Sequence, residues 1–93
     1  MGSLQPHYLE KIMERVLGLG WELVEDVGSY YAGHEGNPFF YVCKFIHRES
    51  KNIAYVVFDE DNIALEALGD RQQAINLAQD YARRSMRYSG GML

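Results

Sequence analysis

The residues with chemical reach in this chain are few and far apart. His7, His34 and His47 are its three histidines, and Cys43 is its single cysteine. A zinc site needs about four nitrogen or sulfur ligands brought together, commonly announced by paired cysteines or by histidines one helical turn apart. No such pair occurs, so no metal and no cofactor are expected. Cys43 and His47 fall on one face of the same extended segment. Four residues of strand separate their Cα atoms by about 13 Å, beyond the reach of a thiolate–imidazole pair. They read as a buried small thiol and a strand-end histidine. His34-Glu35, between Gly33 and Gly36, offers a base with a carboxylate beside it, on the kind of loop that often carries catalytic groups. Sequence neighbours rarely orient each other, however, and a solvated loop is the simpler reading. No catalytic residue is assigned, and the chain is expected not to be an enzyme.

Chemistry of contact is better represented. Tyr30, Tyr31, Phe39, Phe40 and Tyr41 bracket a glycine-containing stretch, and they are too numerous for all to enter the core of so short a chain. Aromatic side chains bury large area with few rotors, which favours them at interfaces. Asp59, Glu60 and Asp61, with Glu66 and Asp70 nearby, read as a solvated turn and helix caps, or as a negative patch that steers a basic partner. Arg71, Arg83, Arg84 and Arg87 fall in one helical segment, the last three near its C-terminal end, where cations offset the helix dipole. A nucleic-acid surface would also require lysines in the hairpin and loops, and these are sparse.

The elements that must position these groups follow from periodicity. Tyr8, Leu9, Ile12, Met13, Val16 and Leu17 recur at spacings of three and four, predicting a helix that starts at Pro6 and ends before Gly18 and Gly20. Trp21 to Val27 is dense in large and β-branched residues and predicts a strand, with a turn at Gly28-Ser29, after which Tyr30-Tyr31 either continue a strand or begin a loop. Ala32 to Pro38 reads as a loop. Phe39 to His47 and Ile53 to Asp59 predict two antiparallel strands of a hairpin joined by the polar stretch Arg48 to Asn52. Both faces of the first are apolar: Phe39, Tyr41, Cys43 and Phe45 on one, Phe40, Val42 and Ile46 on the other. Ile63 to Leu68, rich in Ala, Leu and Glu, predicts a short helix. Asp70 to Gln73 reads as a capping box opening a second long helix that runs to about Met86, followed by a frayed tail at Ser89-Gly90-Gly91.

Composition bounds the class. The 93 residues suffice for one core and one domain, ordered over about 6–87, and 47% hydrophobic with 24% charged residues is the balance of a folded globular protein. One cysteine excludes an internal disulfide, and no apolar run approaches the roughly 20 residues that cross a bilayer. Pro6 stands where a myristoylation signal needs Ser or Thr. A cytoplasmic, reducing location is expected, with no membrane partner. The net charge of −4 and the isoelectric point near 5.2 disfavour non-specific attraction to phosphate backbones.

The order helix, three antiparallel strands, helix over about Pro6 to Arg87 resembles the double-stranded-RNA-binding domain. That resemblance implies an α+β fold, α-β-β-β-α, with a three-stranded antiparallel sheet and both main helices on one face. Where that family opens its second helix with a lysine-rich phosphate grip, this chain has Gly69-Asp70-Arg71-Gln72-Gln73. Gly20-Trp21 and Gly28-Ser29-Tyr30 are also similar to a pattern of small messenger-RNA-cleaving toxins of bacterial toxin–antitoxin pairs, with Tyr30 in place of the catalytic histidine. The expected function is a small non-enzymatic protein-binding module, of the inhibitor or regulatory-adaptor kind. Its binding surface is expected at Tyr30, Tyr31, Phe40, Asp59, Glu60 and Asp61. Apolar surface on both strand faces also permits a homo-oligomer. The alternative is an RNA-binding or RNA-cleaving domain.

Overall fold

A computed structural model describes residues 6–31 and 39–91, with side chains over 8–31 and 39–85. The predicted loop at Ala32 to Pro38, including His34-Glu35, lies outside the described residues, as do the side chains of His7 and Arg87. The elements run α1 (Pro6–Val16), β1 (Trp21–Tyr31), β2 (Phe39–His47), β3 (Ile53–Asp59), β4 (Ala64–Leu68) and α2 (Arg71–Gly91). The four strands form one antiparallel sheet in the order β1-β2-β3-β4.

The α+β class and the antiparallel sheet agree with the sequence reading, and β2 and β3 have the expected bounds. The sheet, however, has four strands, not three. Ile63 to Leu68 is not a helix: Ala64–Leu68 pairs with β3, with Tyr55 opposite Leu68 and Val57 opposite Glu66. Five residues cannot repay the cost of helix nucleation, whereas pairing along β3 satisfies backbone groups at once. Nor does β1 end at Val27. It continues through Gly28-Ser29 to Tyr31, with register shifts between Leu23 and Glu25 and between Asp26 and Gly28. The glycine marks a bulge within the strand, not a turn. At the other end, α2 continues past Met86 to Gly91.

The larger correction concerns layers. The two helices pack on opposite faces of the sheet. Leu9 and Met13 of α1 join Tyr41, Cys43, Phe45, Ala54, Val56 and Phe58 in one core. On the other face Ala74, Ala78 and Ala82 of α2 join Phe40, Val42, Tyr55 and Val57 in a second. Successive residues of β2 and β3 therefore point into different cores, which is why both strands are apolar on both sides. The resemblance to the double-stranded-RNA-binding layout extends to an antiparallel sheet with a helix before and after it in the chain, but not to the strand count or to the helix placement. It follows that Val16 is exposed and Ile12 and Ile75 are only partly buried, while Ala78 is fully buried. The alanine stripe lets α2 approach closely, and Phe40 stacks on Tyr81 at 5.4 Å between ring centroids.

Local features fix the ends of these elements. Asp70 caps α2 by accepting from the Gln73 N–H at 2.9 Å. His47 closes β2: its Nε2 lies 3.0 Å from the Leu19 carbonyl, and its Nδ1 lies 3.2 Å from the N–H groups of both Glu49 and Ser50. A carbonyl only accepts, so Nε2 is the donor to Leu19, and the two N–H groups at Nδ1 suit the tautomer that leaves Nδ1 as acceptor. Trp21 meets it edge-on at 5.2 Å.

Candidate functional site

Register brings the two halves of the expected binding surface to one end of the sheet. Tyr30 is opposite Phe40, and Phe40 is opposite Asp59, so β1, β2 and β3 end side by side. Two strand spacings, about 10 Å, separate the end of β1 from the start of the acidic turn. Tyr31, 60% exposed, begins an aromatic row on the α1 face. It lies 5.5 Å from Phe39, which lies 6.2 Å from Tyr41, which stacks on Phe58 at 5.0 Å. The exposed end of the row is thereby anchored in the core, so its rings are ordered before any partner arrives.

The six expected residues divide by environment. Tyr31, Glu60 and Asp61 are exposed, Tyr30 is half-buried against the α2 core, and Phe40 is 7% exposed and packed under α2. Phe40 is thus a core residue that supports Tyr30 and does not reach the surface. Asp59 is engaged in the turn: its Oδ1 accepts from the N–H groups of Asp61 at 2.9 Å and Ile63 at 3.0 Å. Asn62 adopts a positive φ of 64° there and accepts a hydrogen bond from the Tyr41 hydroxyl, tying the turn to the aromatic row. Burial, and secondarily the neighbouring Cys43 and Asp59, hold the Tyr41 hydroxyl above the ordinary tyrosine range.

Sequence reasoning missed the α2 side of this surface. Ser29, Tyr30 and Tyr31 face Gln79, Ala82 and Arg83 across a groove of about 520 Å³. Only the packing of α2 across the sheet brings these segments together, and nothing local in the sequence announces it.

Among the described side chains, the α2 arginines Arg71, Arg83 and Arg84 each sit in an ion pair. Arg71 grips Glu25 of β1 with both terminal nitrogens, at 3.1 and 2.6 Å. That hydrogen-bonded pairing holds the Glu25 carboxyl below its usual range and the Arg71 guanidinium above its own. Arg83 and Arg84 both reach Asp80, at 3.3 and 2.7 Å, and Arg84 lies over the Tyr81 ring.

Cys43 is fully buried, and burial, aided by the Asp26 carboxylate, pushes its thiol up to about 12. At pH 8 the thiolate fraction alone should make it about a thousandfold slower toward a disulfide reagent than the same thiol in urea. A native rate within tenfold of the unfolded one, followed by absorbance, would contradict this burial. Among the described residues no group of three or more His, Cys, Asp or Glu gathers as metal ligands would, and no helix is long and apolar enough to cross a membrane.

Comparison with the models of known protein families finds no match for this chain, and neither do comparisons with the curated proteins and with the solved structures. Fold and site together define a class by geometry: a small α+β domain with one helix on each face of a four-stranded antiparallel sheet. Its sheet ends in exposed aromatic and acidic side chains.

Proposed function

We propose that the chain is a non-enzymatic protein-binding module that contacts its partner through the end of the sheet carrying Tyr31, Phe39 and Tyr30, with Glu60 and Asp61 steering the encounter. The observation that carries this reading is the shared register position of Tyr30, Phe40 and Asp59, which sets the exposed end of the aromatic row, Tyr31, on the same sheet end as the exposed carboxylates Glu60 and Asp61. An inhibitor or regulatory adaptor in the cytoplasm is the role such a surface suits: anchored aromatics supply buried area, and carboxylates supply long-range attraction to a basic surface. Pairing of Arg71 with Glu25, and of Arg83 and Arg84 with Asp80, favours a protein over RNA, since phosphate binding would first have to displace those carboxylates.

The test compares proteins captured from the native host by wild type and by variants. Tyr31→Ala should weaken the complex about tenfold or more, mainly through faster dissociation. Glu60→Gln with Asp61→Asn should slow association and flatten its dependence on salt, leaving dissociation nearly unchanged. Asp59 is left intact because it holds the turn. If the domain instead bound duplex RNA at physiological salt, and Arg83→Ala with Arg84→Ala abolished that binding, the RNA reading would replace this one.

A further inference from the structure

β1 does not alternate cleanly, and its irregularities decide which face its side chains take. Opposite residues of an antiparallel pair share a face of the sheet. Tyr31 is opposite Phe39 and Ser29 is opposite Tyr41, which sets both on the α1 face. Strict alternation from Tyr31 would carry Val27 to that face and Asp26 to the other. The register shift between Asp26 and Gly28 reverses this. Asp26 is opposite Cys43 of the α1-side core, while Val27 packs against the α2-side core. Bulges are over-represented beside functional surfaces, where they re-aim a side chain.

The re-aimed side chain is a carboxylate with nothing to hold it. Glu22 and Glu25 of the same strand pair with Arg48 and Arg71, whereas Asp26 has no ion-pair partner among the described residues. Asp26 is exposed, and so is the small Ser29 between it and Tyr31. Cys43 and Phe39, their partners on β2, lie four residues apart, so Asp26 and Tyr31 are separated by about 13 Å. On the β3 side of the same end stand Glu60 and Asp61, likewise exposed and without an ion pair among the described residues. The exposed ring of Tyr31 therefore has unneutralised carboxylates on both sides.

We infer that the partner seats a basic extended segment on this surface, one cationic side chain over the Tyr31 ring and another at Asp26, which makes Asp26 a specificity-determining residue. The inference rests on the protein-binding reading and names the chemistry of the partner that reading requires. The face of an aromatic ring attracts a cation. An apolar segment would instead strip water from Asp26 and return no counter-charge, at a net cost. The separation of about 13 Å is that of residues i and i+4 in an extended chain, so both contacts are open to one short segment.

Titration of the full chain with a blocked hexa-arginine peptide, followed by nuclear magnetic resonance, tests this. At about 0.15 M salt, charges more than about 8 Å away are largely screened, which separates local contact from general attraction. The peptide should bind with a dissociation constant of about 1 mM or lower and shift the amide signals of Asp26, Ser29 and Tyr31. Asp26→Asn and Tyr31→Ala should each weaken it about threefold to fivefold, with circular dichroism showing that both variants are folded. Glu66→Gln makes the same change of charge on the α2 face at the opposite edge and should leave binding as it was. Equal weakening by Asp26→Asn and Glu66→Gln would overturn the inference, and so would a peptide that does not bind. With a captured protein partner the two readings separate. If Tyr31→Ala weakens that complex and Asp26→Asn does not, protein binding stands and the basic segment falls; duplex-RNA binding in its place would remove both.

Discussion

Val56→Asp and Val57→Asp, made separately, should each unfold the domain or bring it close to unfolding. The two residues are neighbours in β3, both are fully buried, and they point into different cores. In a sheet covered on one face, one of two adjacent positions meets solvent and accepts a carboxylate easily. Here neither does. An unpaired carboxylate in either core should cost about 4 kcal/mol or more, against about 5–15 kcal/mol for the whole stability of a typical domain. The corresponding alanine variants should lose only roughly 1.5–3 kcal/mol, the worth of a buried valine side chain. Urea denaturation should place the midpoints of the aspartate variants at least about 2 M below wild type. If either variant kept the wild-type midpoint, one face of the sheet would have to be open, and the three-layer arrangement would be wrong.

Gly20→Ala should lose about 2 kcal/mol or more, through two separable causes. Gly20 has φ +96°, a conformation that side-chain-bearing residues adopt only at a cost, and an added Cβ would stand 2.8 Å from His47 Nε2. That ring cannot yield freely, because its two nitrogens hold Leu19, Glu49 and Ser50 and its edge meets Trp21. Gly18 is the internal control: its φ is +104°, but nothing lies within 4 Å of an added Cβ. Gly18→Ala should therefore show the backbone cost alone, about 1–2 kcal/mol. Removing the ring with His47→Ala should bring the cost of Gly20→Ala down to that of Gly18→Ala in a double-mutant cycle. Equal costs at both glycines in the wild-type background would show that the histidine does not confine the turn.

Legibility from sequence followed the range of the interactions concerned. The bounds of β2 and β3 were readable because an unbroken density of large and β-branched residues, stopped by polar turn residues, is a local signal. So was the start of α2, where Asp70 caps its own first turn. Ile63 to Leu68 misled because Ala, Leu and Glu favour helix locally, while the pairing that makes Ala64–Leu68 a strand comes from Tyr55 to Phe58 along the neighbouring edge. Gly28-Ser29 misled for a similar reason, since a glycine at a bulge and a glycine at a turn look alike until the partner strand is known. In the candidate site, the exposure of Tyr31, Glu60 and Asp61 was legible from residue type and setting. That Phe40 is core was not, because its cover is Tyr81, 41 positions away along the chain.

By itself the sequence determined the α+β class, the β2–β3 hairpin, and the presence of apolar side chains on both faces of β2. It also placed an aromatic cluster and an acidic turn in the same chain. The apolar pattern states that both faces must be covered, but periodicity carries no information about which helix covers which face or whether a partner does so instead. Tertiary structure decided that α1 takes one face and α2 the other, since Leu9 and Met13 fill one core and the alanine stripe of α2 fits flat against the second. It also decided that β4 completes the sheet and that Tyr31 and Asp61 share one end of it. These outcomes depend on packing between residues distant in sequence, where shape and buried area choose among arrangements that local propensity leaves equal.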